Sequence, residues 1–78
     1  MHENEIREEI LNLMQNNRFR GFINKNEIEL DSLDAVDLWE NIDKKFNIEI
    51  SDVDFWSCFS ENGIIEVNNL VALIKRYL

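Results

Sequence analysis

Proline is absent from this chain, glycine occurs twice, and cysteine and histidine occur once each. Each absence removes a class of structure or chemistry. With no proline and so few glycines, element boundaries have to be read from hydrophobic spacing and capping residues. The single Cys58 excludes an intrachain disulfide and a cysteine metal cluster, and it favours a reduced, cytoplasmic setting. Lying among Phe55, Trp56 and Phe59, it reads as a core filler, not as a nucleophile. His2 stands at the terminus, which argues against a serine–histidine or cysteine–histidine pair. No apolar run approaches a secretory leader or the roughly 20 residues of a membrane span, so a soluble protein without membrane insertion is expected. Neither acidic stretch has the glycine and closing glutamate of a calcium loop, so no metal site is expected. The carboxylates fall on faces expected to be exposed, with nothing to separate two of them in pKa for acid–base work. The expectation is a non-catalytic protein of one domain, residues 1–78, held by helix packing alone.

What is present in excess is negative charge. Sixteen acids face eight bases, for a net charge of −8. Residues 27–54 hold ten acids against Lys44 and Lys45, while outside that window acids and bases balance. The field therefore originates in the middle of the chain. It would draw in basic protein surfaces and repel nucleic acid and anionic membranes.

Hydrophobic spacing predicts a small all-α, four-helix bundle with three main helices and one short one. Ile6, Ile10, Leu13 and Met14 form the stripe of a first helix over about residues 3–16. RFRGFINKNEIEL reads as a long connection, with Gly21 at a turn and Phe19, Phe22 and Ile23 pinned to the core. A second helix runs from Ser32 to Phe46 or Asn47. Ala35, Leu38, Trp39, Ile42 and Phe46 share its inner arc, and Asp34, Asp37, Glu40 and Asp43 lie opposite. Leu33 and Val36 break the division by lying among the acids, which makes them candidates for partner contact. Asn47-Ile48-Glu49-Ile50 is an extended link whose isoleucines can tuck inward. Ser51 with Asp54 three residues on suggests a capping-box variant opening a short third helix that presents Phe55, Trp56 and Phe59. Asn62-Gly63 makes a turn. The last helix, from about Ile65 to Tyr77, carries Val67, Leu70, Val71, Ile74, Tyr77 and Leu78 on one stripe, with Lys75 and Arg76 suited to its C-terminal dipole.

Ser32 stands where a long loop enters an amphipathic helix. There a hydroxyl is exposed beside unsatisfied, partially positive backbone N–H groups, a setting favourable to a phosphodiester. The alternative from position alone is an ordinary N-cap serine. Further residues bear on the choice. Asp31-Ser32-Leu33, then Asp34-Ala35-Val36-Asp37-Leu38, Phe46, Ile48-Glu49-Ile50 and the closing helix VNNLVALIKRYL together resemble the acyl carrier and peptidyl carrier proteins. The likeness covers nearly the whole chain in the same element order, most strongly over residues 30–50.

The resemblance implies that Ser32 is modified by a phosphopantetheinyl transferase, with coenzyme A and magnesium, to carry 4′-phosphopantetheine. The arm's thiol then holds an acyl or aminoacyl group as a thioester. Asp31 is the acidic neighbour, and Leu33, Val36, Asp37 and Glu40 form the face shown to partners. These partners are the transferase, an acyl- or aminoacyl-activating ligase or adenylation enzyme, and synthase or transferase domains. Some residues depart from the fatty-acid-synthesis carriers. Glu29 replaces a common glycine, Lys44 and Lys45 replace acids, Glu66 replaces a threonine, and the segment from Phe46 to Val67 is longer. The Phe55-Trp56 pair is closer to the D-alanyl and peptidyl carrier groups. Polyketide, nonribosomal-peptide or other specialised biosynthesis is therefore the first expectation, with D-alanyl or fatty-acid carriers as alternatives. An acidic protein-binding adaptor is the alternative outside the class. Trp39, if it points inward, would fill space that could otherwise enclose an acyl chain, leaving a short cargo outside the bundle.

Overall fold

The computed structural model describes residues 2–16, 23, 24 and 26–78 of the chain. Its elements are helix α1 (Glu3–Asn16), strand β1 (Glu27–Glu29), helix α2 (Ser32–Phe46), helix α3 (Asp52–Ser57), strand β2 (Ile64–Glu66) and helix α4 (Val67–Tyr77). The expected four-helix arrangement, three main helices and a short one, is present. Each main helix buries most of the stripe its spacing predicts: Ile6, Ile10 and Met14 from α1, Ala35, Leu38, Ile42 and Phe46 from α2, and Val67, Leu70, Val71 and Ile74 from α4, while Leu13 and Trp39 are partly buried and Leu73, outside the predicted stripe, is buried as well. Phe55 brings α3 into the same core. An apolar face that leaves water is worth about 25 cal/mol per Å², so this shared core holds helices too short to stand alone.

The helix ends have local causes. Asn47 ends α2 in the left-handed conformation, φ 54° and ψ 51°. There Ile48 N–H reaches back to the Asp43 carbonyl at 3.1 Å, satisfying an end carbonyl in the Schellman manner. The link that follows turns inward as expected, with Ile50 buried and Ile48 packed against the core.

Three expectations are corrected. The long connection contains a strand, β1, which pairs antiparallel with β2 in the register Glu27↔Glu66, Ile28↔Ile65, Glu29↔Ile64. Alternation places Ile28 and Ile65 inward, but three residues per strand are too few to stand out as a period in the sequence. Because Ile64–Glu66 pair as a strand, α4 starts at Val67, two residues later than its hydrophobic spacing suggests. Ile23 and Leu78, expected in the core, are exposed. Gly21, Phe19 and Phe22 lie outside the described residues.

Candidate functional site

The small sheet aims the start of α2. Asn26 carbonyl accepts from Val67 N–H at 2.8 Å, and Leu30 N–H donates to the Gly63 carbonyl at 3.4 Å, so both ends of β1 are tied to β2 and the start of α4. Gly63 takes φ +75°, which costs glycine little, and so closes the turn that presents this carbonyl. Leu30 is buried. The chain then leaves the core within one residue, and α2 begins at the surface.

Asp31, not Ser32, caps the helix. Its backbone is extended, its Oδ1 accepts from Asp34 N–H at 2.8 Å, and its carbonyl accepts from Ala35 N–H at 2.9 Å. Aspartate and serine are both strong caps, and their adjacency hid which one serves. The backbone decides it: Asp31 is extended and Ser32 is the first helical residue. The N-cap reading of Ser32 is therefore overturned. Ser32 is exposed, and neither its hydroxyl nor the N–H groups of Ser32 and Leu33 make a hydrogen bond among the described residues. An unengaged hydroxyl beside two unengaged N–H groups at a helix start fits a phosphodiester both in access and in charge. Ser32 Oγ would hold such a group.

The residues expected around Ser32 fall mostly as the helical wheel placed them. Leu33 is 78% exposed, Asp37 and Glu40 are exposed, and Val36 is half-buried. The Asp37 carbonyl accepts from Asn41 Nδ2 at 2.8 Å, which leaves its carboxylate out of that contact. Of the two lysines on α2, Lys45 reaches across to Glu9 of α1 at 3.2 Å. Trp39 turns inward: its ring stacks on Phe55 at 5.0 Å and 11°, and its indole N–H donates to the Ile50 carbonyl at 3.2 Å.

Asp43 and Tyr77 have tasks that the sequence did not disclose. Asp43, placed by its wheel position among exposed acids, is half-buried and accepts from Ile50 N–H at 3.2 Å, fastening the link back onto α2. Burial pushes its carboxyl above the ordinary range, opposed by the Ile50 hydrogen bond and assisted by Glu49. Tyr77, expected as core, is half-buried. Its hydroxyl accepts from Ser51 N–H at 3.1 Å and donates to the Asp54 carboxylate. Ser51 Oγ meanwhile accepts from Asp54 N–H at 3.2 Å, so the expected capping box forms with a tyrosine inserted in its return arm. The Tyr77 hydrogen bond, helped by Ser51 and Arg76 against some desolvation, holds the Asp54 carboxyl below its usual range. One signal was available: a tyrosine on a buried stripe needs a partner for its hydroxyl.

Cys58 ends α3, half-buried. Its thiol pKa is pushed up, first by burial and then by Asp54, which keeps it a thiol at neutral pH. Among the described residues no three His, Cys, Asp or Glu side chains gather in a way that could hold a metal ion, and no helix is long and apolar enough to cross a membrane.

The family model for the phosphopantetheine attachment site matches residues 25–74, which is more than half of the chain and includes both strands, α2 and α3. The chain belongs to the phosphopantetheine attachment family. Its members carry 4′-phosphopantetheine covalently, so this is a carrier of the acyl and peptidyl carrier kind, as the sequence pattern implies. No curated protein and no solved structure matches the carrier. Family and fold agree: the match begins just before β1, the element that aims the start of α2, and ends inside α4.

Proposed function

We propose that Ser32 is the attachment residue and that residues 1–78 act as one non-catalytic carrier domain. The observation that carries this reading is the division of labour at the start of α2. Asp31 does the capping, so the neighbouring exposed hydroxyl has no structural task. In the transfer reaction Ser32 Oγ would lose its proton and attack the phosphorus next to pantetheine in coenzyme A, with adenosine 3′,5′-bisphosphate leaving. When bound, the arm supplies a terminal thiol on which cargo is held as a thioester. The chain's own contribution is to hold that oxygen at the surface and to present the arm to its partners.

The partners that fit are a phosphopantetheinyl transferase, an acyl- or aminoacyl-activating ligase or adenylation enzyme, and synthase or transferase domains. Exposed Leu33, with half-buried Val36 beside it, offers desolvated contact, and Asp37 and Glu40 steer basic surfaces towards it. Lys44 and Lys45 support a specialised thiotemplate pathway over fatty-acid synthesis, since they place positive charge at the end of α2. D-alanine transfer is the second reading, favoured by the Phe55-Trp56 pair. Acceptance of D-alanine from a D-alanine-activating ligase would select it, and refusal would remove it.

The test is intact mass after incubation with coenzyme A, magnesium and a broad-specificity transferase. The wild-type chain gains one phosphopantetheine and the folded Ser32→Ala chain gains none. A wild-type chain unchanged with transferases of several pathways would remove the Ser32 assignment and favour an acidic adaptor.

A further inference from the structure

A cargo on an arm rooted at the start of α2 has two places to rest: outside the bundle, or inside it through a seam between helices. The seam between α2 and α3 is plugged by aromatic rings. Trp39 of α2 lies flat on Phe55 of α3, Trp56 stands edge-on to both at 6.5 Å and 5.2 Å, and Phe59 closes on Phe55 and Trp56 at 5.4 Å and 5.3 Å. Phe55 is fully buried, and the Trp39 indole N–H is held by the Ile50 carbonyl, so the plug is anchored at its polar end as well.

The elements on either side of the seam are themselves fastened to their neighbours. Asp43 Oδ1 binds Ile50 N–H, and the Tyr77 hydroxyl bridges Ser51 N–H and the Asp54 carboxylate, tying the first turn of α3 to the last turn of α4. Parting α2 from α3 would unstack the rings, and α3 could move away only by also giving up its Tyr77 hydrogen bonds to α4. Two open clefts among the described residues lie elsewhere and are polar. One of about 580 Å³ is lined by Asn24, Asn26, Glu27, Glu66 and Asn68, and one of about 270 Å³ by His2, Glu3, Asn4 and Lys75. Neither offers an apolar chain a reason to leave water.

We propose that Trp39, stacked on Phe55 and held by the Ile50 carbonyl, determines cargo class by keeping acyl chains out of the bundle. The carrier then takes short acyl or aminoacyl groups and displays them at its surface. This rests on Ser32 as the attachment residue, and it adds which cargo the site suits.

Burying an apolar methylene is worth ~0.8 kcal/mol, roughly a fourfold shift in population. A carrier that took in only two further methylenes would therefore shield its thioester about fifteenfold more. The experiment loads the carrier from acetyl-, hexanoyl- and decanoyl-coenzyme A with a broad-specificity transferase. Thioester cleavage by hydroxylamine is then timed, with melting temperature and indole fluorescence followed on the same samples. In the wild-type chain the three cleavage rates agree within about twofold, and neither melting nor fluorescence changes with chain length. In Trp39→Ala, or Trp39→Leu if the alanine variant does not fold, decanoyl cleavage slows at least fivefold relative to acetyl and melting rises. Tenfold protection of decanoyl in the wild-type chain would overturn the proposal. Equal rates in the folded Trp39 variants would overturn the role given to Trp39. Failure to load any acyl group is a separate result, seen as absent mass gain before cleavage is timed, and would remove the Ser32 assignment and this proposal with it.

Discussion

Replacing Asp31 and replacing Ser32 should separate folding from attachment at neighbouring positions. Asp31 supplies the acceptor for Asp34 N–H, and loss of an N-cap side chain costs about 0.5–2 kcal/mol. Its negative charge at the helix start adds about 0.3–1 kcal/mol at low salt. For a domain of this size each kcal/mol moves the melting temperature by about 4–8 °C. Asp31→Ala is therefore expected to melt about 3–24 °C lower, while Asp31→Asn, which keeps a capping oxygen and loses the charge, recovers most of the difference. Ser32→Ala should stay within about 0.5 kcal/mol of wild type, because an exposed hydroxyl without a hydrogen bond among the described residues is removed and alanine is the better helix former. The assay is thermal melting followed by circular dichroism, paired with intact mass after transferase treatment. Ser32→Ala should combine a native melting curve with no mass gain, and Asp31→Ala a lowered curve with Ser32 still available. A fall of 5 °C or more for Ser32→Ala beside an unaffected Asp31→Ala would refute this division of roles.

Leu33→Ala should leave melting unchanged, since the side chain is mostly exposed, and yet lower the rate with at least one partner enzyme. Unchanged rates with the transferase, the activating enzyme and the synthase would count against the proposed face. Tyr77→Phe should lower the melting temperature by a few degrees and speed amide exchange at Asp54 and Phe55, because the clasp on α3 loses its hydroxyl. The same change should alter acid sensitivity. Asp54 has a folded pKa below its unfolded one, so its contribution is present above the ordinary aspartate range and is lost as pH falls through the lower folded value. Wild type should keep this increment further into acid than Tyr77→Phe; identical acid-unfolding profiles would exclude a contribution from this pair.

Much of the molecule was legible because helices repeat their pattern several times. The stripes of α1, α2 and α4 each recur over several turns, and α2 ends at Phe46 within the expected bounds. The exposed hydroxyl of Ser32 at the start of α2 was legible for a different reason: the boundary between loop and amphipathic helix is a local signal. What short segments do was hidden. β1 and β2 are three residues each and exist only by pairing with one another across the fold, so neither half carries its own signal.

The amino-acid sequence by itself determined the helical class, the acidic middle of the chain, and Ser32 at the entrance to α2, because periodicity, charge and chain order are local quantities. Only the tertiary structure decided that Asp31 caps α2 while Ser32 makes no hydrogen bond among the described residues, since that depends on where the backbone passes from extended to helical. It also decided that Tyr77 joins Ser51 and Asp54, residues more than twenty positions away, and that Trp39 lies against Phe55. Contacts between distant residues depend on how helices pack, and no spacing along the chain records that.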